Sequence, residues 1–266
     1  MLKDVTLGQY YPVESPIHKL DPRDKLFGTL LFVISLFVAD NFICYIVATI
    51  FLAAVIKISK VPFKHIMKGL KSIIVLLMLS VILNLFMTTG EVLVSFWKLT
   101  ITKEGIYTAS FMAIRLMFLI IGSSIMTFTT TPNNLTDGLE KGLRFLKIFK
   151  VPVHEVAMMM SIALRFIPIL MEEADKIMKA QIARGADFES GSLIKRVKSM
   201  IPLLVPLFVS AFRRANDLAT AMEARGYRGG EHRTKMKPLR YRSNDGVAYL
   251  ILFGYFAVIV VVTVIW

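Results

Sequence analysis

Five runs of apolar residues constrain what this chain can fold into more than any other feature. The runs are poor in charge, whereas a soluble domain distributes its apolar residues in patterns that alternate with polar ones. An α-helix needs about 20 mostly apolar residues to cross a bilayer. The runs cover residues 26–39, 42–58, 72–87, 105–129 and 246–266. They predict an all-α, polytopic membrane protein with about five transmembrane helices.

The first two runs are short and are separated only by Asp40-Asn41, which predicts a tight helical hairpin with its turn at that dipeptide. The residues before them are polar and contain several prolines, a pattern typical of an ordered loop. Asp21 and Pro22 fit the N-cap and the first position of the first helix. The polar start of the chain also predicts insertion without a cleaved signal peptide.

The distribution of charge predicts the orientation in the membrane. The chain has 32 Lys+Arg against 19 Asp+Glu, a net charge of +13, and five lysines without an acid between Lys57 and Lys71. Basic residues collect in cytoplasmic loops, so we expect the N-terminus inside and the C-terminus outside. The three- to four-residue spacing of these lysines favours a short interfacial helix whose partners are anionic membrane lipids.

Three domains follow from the same pattern: 1–131 with the N-terminal loop and four spans, 132–245, and 246–266 with the last span. The middle section holds 20 Lys+Arg and 12 Asp+Glu, and its apolar residues recur at helical spacing. It therefore predicts a cytoplasmic domain of three amphipathic helices. We place them at about 132–149, 153–186 and 193–227.

Two features of the membrane section depart from simple spans. Residues 92–99 are mixed in character and predict a shallow re-entrant or interfacial segment, with Trp97 as an interfacial aromatic. Arg115 lies among apolar neighbours in the fourth run. Because a charge at membrane depth is costly, Arg115 is expected to face the protein interior or to lie near an interface.

A short internal repeat lies in the middle section. The pattern Ala-x-x-Ala-Arg-Gly occurs at 180–185 and again at 221–226, an offset of 41 residues. Glycine ends a helix, and arginine beside it offsets the negative end of the helix dipole and can offer a planar donor group to a groove. Ordinary helix capping would explain one copy. Two matched copies on long helices favour a shared docking role for Ala183, Arg184, Gly185, Ala224, Arg225 and Gly226.

The chain resembles the transmembrane T component of energy-coupling factor (ECF) transporters of vitamins and metals, over nearly its whole length. The matching segments are Gly8-Gln9-Tyr10, Ser15 to Lys25, Leu164 to Pro168, the first Ala-Arg-Gly end, and Arg214 to Tyr227. The resemblance implies two cytoplasmic ABC-type ATPases as partners, with each motif arginine in a groove on one of them. It also implies a membrane-embedded S component that binds the substrate. The long helices would be coupling helices between ATPases and S component.

Methionines along the two long helices suit a surface that accepts varied partners, although core filling would explain any one of them equally well. The candidates for the surface facing the S component are Met158, Met159, Met171, Met178 and Met200.

Signals for chemistry in this chain are missing from the sequence. There is no phosphate-binding Gly-rich loop and no His-Glu-x-x-His pattern, so we expect a non-catalytic subunit without cofactor or metal. The single Cys44 excludes an intramolecular disulfide. A self-contained secondary transporter is the alternative, but it would need polar residues clustered within the spans. The basic stretch 225–242 has too few aromatics for a nucleic-acid platform, so nucleic acid is not expected as a partner.

Overall fold

A computed structural model describes residues 10–71, 73–96, 99–188, 192–230, 236 and 238–265. Within these residues the chain forms nine α-helices, one 3₁₀ helix and one short hairpin, so the all-α class is confirmed. Gly8, Gln9 and Trp97 lie outside the described residues.

The elements follow one another with short connections. In chain order they are α1 (Pro22–Val38), α2 (Phe42–Ser59), α3 (Phe63–Lys71), α4 (Ile74–Met87), β1 (Val92–Phe96), β2 (Leu99–Thr102), α5 (Lys103–Thr129), α6 (Pro132–Gly142), a 3₁₀ helix (Leu143–Phe149), α7 (Val153–Ala183), α8 (Leu193–Ala224) and α9 (Ser243–Ile265).

These elements divide between two compact units. The membrane unit comprises 10–139 and 239–265, and the second unit comprises the described residues of 140–238. The predicted domains 1–131, 132–245 and 246–266 remain a prediction.

The membrane-spanning capacity of the helices agrees with the expected number of about five. By length and hydropathy α2, α5, α7 and α9 could each cross a bilayer, and α3 with α4 could form one bent span. The helices that qualify as spans are not all those expected from the sequence. α1 has 17 residues, slightly short of a straight span, whereas α7 is apolar enough in part to qualify although its acidic and basic second half predicts a cytoplasmic position.

Two segments differ from the sequence expectation in their secondary structure. Residues 92–96 and 99–102, which include several Val, Thr and Ile residues, pair as the antiparallel strands β1 and β2, in keeping with the preference of β-branched residues for strands. The helix expected over 132–149 ends at Gly142 and continues as the 3₁₀ helix, which closes at Lys150 in the left-handed conformation (φ 59°).

The core of the membrane unit lies where α1, α2, α5 and α9 meet. Leu36, Cys44 and Ile259 are fully buried there, and the rings of Phe51 and Tyr255 stack with their centroids 4.2 Å apart. The Tyr255 hydroxyl is hydrogen-bonded to Ser35 Oγ at 2.8 Å. A buried hydroxyl therefore has its partner, as the low polarity of such a core requires.

Arg115 of α5 faces the interior of the membrane unit, as expected. Its Nε donates to the Tyr45 hydroxyl at 2.9 Å, and its Nη2 donates to the Ala39 carbonyl at 3.1 Å. Asp40 lies 3.9 Å from the same Nη2. The guanidinium is thus paired near the turn between α1 and α2, which lowers the cost of a charge in the bilayer.

The segment from Ser15 to Lys25 anchors the loop before α1. Asp21 caps α1 by accepting from the Arg23 amide at 3.0 Å, and its own amide donates to Asp245 Oδ1 at the start of α9. Lys25 Nζ donates to the carbonyls of His18 and Thr129. The predicted N-cap is confirmed, and this string of polar residues ties the starts of α1 and α9 to the end of α5.

Candidate functional site

The first candidate site is the end of α7. Arg184 is the C-cap residue, and Gly185 follows it with φ 87°. The Gly185 amide donates to Ile182 O at 2.9 Å and the Ala186 amide donates to Gln181 O at 2.9 Å. These two bonds are those of a Schellman motif, in which a residue in the left-handed conformation ends a helix.

The end of α8 repeats this geometry 41 residues later. Arg225 is the C-cap residue, and Gly226 has φ 70°. The Gly226 amide donates to Glu223 O at 2.8 Å, and the Tyr227 amide donates to Met222 O at 3.0 Å. The two sequence copies therefore produce the same backbone structure, and both helices end about three residues before the predicted 186 and 227.

Both glycines are required by backbone conformation and not by lack of space. A Cβ added to Gly185 or Gly226 would meet no heavy atom within 4 Å. A residue with a side chain pays about 1 kcal/mol or more for the left-handed region, whereas glycine adopts it freely. The glycine at each end thus fixes where the helix stops, and thereby where the preceding arginine is presented.

The motif arginines are available to a partner. Arg184 and Arg225 are both exposed, as are Ala183 and Ala224 before them. Among the described residues neither guanidinium has a hydrogen-bond or ion-pair partner. Each is therefore a free planar donor group at the negative end of a helix, flanked by small residues that permit close approach.

The two long helices contact each other through an ion pair. Arg214 Nη2 of α8 donates to Glu173 Oε2 of α7 at 2.6 Å. The sequence alone assigns no partner to Glu173. Its side chain is 27% exposed and that of Arg214 is 39% exposed, so the pair is partly shielded from solvent.

The methionine candidates divide into two groups. Met159 and Met200 are exposed, at 59% and 48%, and can contact a partner directly. Met158, Met171 and Met178 are only partly exposed, which fits filling space within the chain as well as a peripheral contact.

A larger apolar surface on α8 was missed by the sequence reasoning. Exposed apolar side chains recur at helical spacing along its first two thirds, and that periodicity could have identified them. We call them the α8 stripe: Ile194, Val197, Ile201, Leu204, Phe208 and Phe212. Contiguous exposed apolar surface of this kind marks a site of protein or membrane contact.

Comparison with known families decides the identity. The sequence profile of the family CbiQ, described as "Cobalt transport protein", matches residues 13–236. This chain belongs to that family.

Similar proteins of known name show which kind of protein within this family the chain resembles. The chain is 55% identical over 252 residues to a protein of Clostridium kluyveri, covering 94% of this chain and 93% of the relative. It is 54% identical to one of Ruminiclostridium cellulolyticum, with 92% of both covered, and 48% identical to one of Bacillus subtilis, with 92% and 93% covered. Each is named "Energy-coupling factor transporter transmembrane protein EcfT".

The resemblance drawn from the Ala-Arg-Gly ends is therefore confirmed. The chain is a multi-pass membrane protein of the family that provides the transmembrane component of ECF transporters. Among the described residues no group of three or more His, Cys, Asp or Glu side chains could hold a metal ion.

Proposed function

We propose that this chain is the coupling and scaffold subunit of an ECF importer. It links ATP hydrolysis by two cytoplasmic ABC-type ATPases to uptake of a vitamin or metal through a membrane-embedded S component. ATP hydrolysis and substrate binding belong to the partner chains in this proposal.

The matched ends of α7 and α8 carry the proposal. Each presents an exposed arginine on an identical Schellman motif, and two identical ends suit two similar receptor grooves. The arginine would offer its donors to carboxylates or carbonyls in a groove, where a planar, bidentate contact is geometrically specific.

Charge reversal at both ends tests the docking role. Arg184→Glu with Arg225→Glu is expected to abolish co-purification of the ATPases from detergent while membrane insertion persists. Lys176→Glu with Arg213→Glu is the matched control, because both residues are exposed on the same two helices and the change in net charge is equal. Undiminished recovery of ATPases with the first double variant would refute the docking role.

The S component is proposed to contact the exposed apolar surface of the second unit. The α8 stripe, together with Met159 and Met200, offers side chains that are 44% to 72% exposed. Replacing Val197 and Phe208 by serine is expected to release the S component but not the ATPases. Joint loss of both partners would indicate misfolding of α8 instead, and retention of the S component would refute this contact.

The topology proposed for the chain has the N-terminus and the second unit in the cytoplasm and the C-terminus outside. The exposed Lys64 and Lys71 on α3 and the buried Ile66 between them support an interfacial helix facing anionic headgroups. Cysteines placed at exposed Lys19 and Lys179 should react with an impermeant thiol reagent only from the cytoplasmic side. Labelling from outside would overturn this orientation.

The rival, a self-contained permease, would need its own substrate site. The membrane unit holds a cavity of about 470 Å³ among α1, α2, α5 and α9, lined mainly by apolar side chains such as Phe32, Phe51 and Leu52. The charged residues that line it, Asp24 and Lys25, are too few to surround a charged metal or a polar vitamin. The chain reconstituted alone in vesicles is expected to show no uptake, and uptake without partners would favour the rival.

A further inference from the structure

The ion pair between the long helices joins two positions, upstream of the internal repeat, that are related by the same 41-residue offset as its two copies. Glu173 and Arg214 are 41 residues apart, the same offset that relates Arg184 to Arg225. Two helices related by a two-fold axis bring equivalent positions into contact only where they cross at the axis. A contact between equivalent positions is therefore what a two-fold axis at the crossing would produce.

A second contact gives the relative direction of the helices. The ring of His154, in the first turn of α7, lies against Gly230, just beyond the end of α8. The start of α7 thus lies near the end of α8, so the two helices are broadly antiparallel. The two arginine ends point away from each other.

The arms on both sides of the crossing have equal length. Glu173 precedes Arg184 by 11 residues, and Arg214 precedes Arg225 by 11 residues. At 1.5 Å per residue each arm is about 16 Å long. The arginines therefore lie at equal distances from the crossing, separated by at most about 33 Å along the helix axes.

We infer that Glu173 and Arg214 are positioning residues, which hold α7 and α8 at a local two-fold axis and so set the spacing of the Arg184 and Arg225 ends. The functional meaning of that spacing rests on the docking role proposed above. Opposite charges attract at this point, whereas two like charges would repel each other.

The contact is sensitive to the loss of either partner. Arg214 Nε is buried and makes no hydrogen bond with any described residue, so the guanidinium is held through Nη2 and Glu173. Ser210 on α8 lies close to the same carboxylate. Removing Glu173 leaves a half-shielded positive charge between the helices, which favours their separation.

The spacing can be measured directly on the full chain. Spin labels at Ile182→Cys and Glu223→Cys, equivalent exposed positions beside the two ends, report the distance by double electron–electron resonance. Cys44→Ser removes the native cysteine and keeps a hydroxyl near Thr263 Oγ1, which lies 3.5 Å from its sulfur.

Charge variants then test whether the Glu173–Arg214 pair sets the distance between the two helix ends or only supports the fold. Glu173→Arg and Arg214→Glu are each expected to shift or broaden the distance distribution, and the combined swap is expected to restore it. Glu172→Arg and Arg213→Glu, exposed neighbours with the same charge changes, should leave it unchanged. The neutral Glu173→Gln should give a smaller broadening and serves if charge reversal prevents folding.

Unchanged distances in Glu173→Arg and Glu173→Gln, or a swap that does not restore the distribution, would overturn the inference. Failure of the docking proposal can be told apart from failure of this inference. It would appear as undiminished recovery of the ATPases with the Arg184→Glu, Arg225→Glu double variant. The arginine ends are intact in the Glu173 variants, so those variants should still recover ATPase, but with one bound per chain more often than two.

Discussion

Gly185 and Gly226 occupy the same place in two helix-ending motifs, with φ angles of 87° and 70°. Because nothing surrounds their missing Cβ atoms, a substitution there changes backbone preference alone. This makes the two ends suitable for experiments that separate conformation from packing.

Gly185→Ala and Gly226→Ala are each expected to fray the helix end, at a cost of about 1 kcal/mol in the local motif. The arginine would then be presented in several orientations, and ATPase recovery should fall without loss of folded chain. Asparagine, which tolerates the left-handed region better, should retain more recovery. Titration of ATPase binding to the purified variants provides the measurement.

Gly142→Ala is the matched control for these variants. Gly142 also has open space around its missing Cβ, but its φ is −65°, so alanine is accommodated there. Equal effects of alanine at positions 142 and 185 would contradict the conformational explanation.

The arginine in α5 should stabilise the membrane unit. Arg115→Met is expected to lower the midpoint of thermal unfolding in detergent, because the Tyr45 hydroxyl and the Ala39 carbonyl both lose a charged donor. The expected cost is about 1–3 kcal/mol. Tyr45→Phe, which removes only one of these bonds, should cost less. A variant as stable as the parent would show that the network contributes nothing.

Asp245 should stabilise the junction of α1 and α9. It is 2% exposed, and it accepts from the Asp21 amide at 3.0 Å and from the Arg242 amide at 2.6 Å. Asp245→Ala leaves the buried Asp21 amide and the part-buried Arg242 amide without this acceptor and is expected to cost about 1–3 kcal/mol. Asp245→Asn, which keeps one acceptor oxygen, should cost less. The exposed neighbour Asn244→Ala serves as control, and equal unfolding midpoints for all three would refute this role.

The N-terminal loop should lose stability in mild acid because of His18. Its Nε2–H donates to Tyr11 O at 3.1 Å, and its Nδ1 is 2.7 Å from Ser15 Oγ. Burial, with a smaller contribution from Lys25, lowers the pKa of His18 below its ordinary value of 6.5. In the window between the lowered pKa and 6.5 the unfolded loop binds more protons, so stability is present above that window and falls as the pH decreases.

Limited proteolysis of the loop across pH measures this effect. Cleavage should rise as the pH drops from about 7.5 to about 5, and His18→Gln should flatten the dependence. A parallel increase in the parent and in His18→Gln would assign the acid response to another group.

The sequence by itself determined the helical class, the polytopic membrane character and the two arginine ends. Each of these depends on a local pattern. The patterns are the length of the apolar runs, the distribution of charge, and a glycine whose left-handed backbone conformation ends each long helix. The α8 stripe was also open to such reasoning, since it follows helical periodicity. The antiparallel strand pair at 92–96 and 99–102 was not recognised because its mixed composition has no single period.

Only the tertiary structure decided which residues meet. The sequence could identify Glu173 as acidic, but its pairing with Arg214 depends on how α7 and α8 cross. In the same way Asp245 meets the Asp21 amide across 224 residues, and Arg115 finds Tyr45 across 70. Hydrogen bonds and ion pairs between distant segments depend on side-chain geometry that no local periodicity encodes, so packing alone selected these partners.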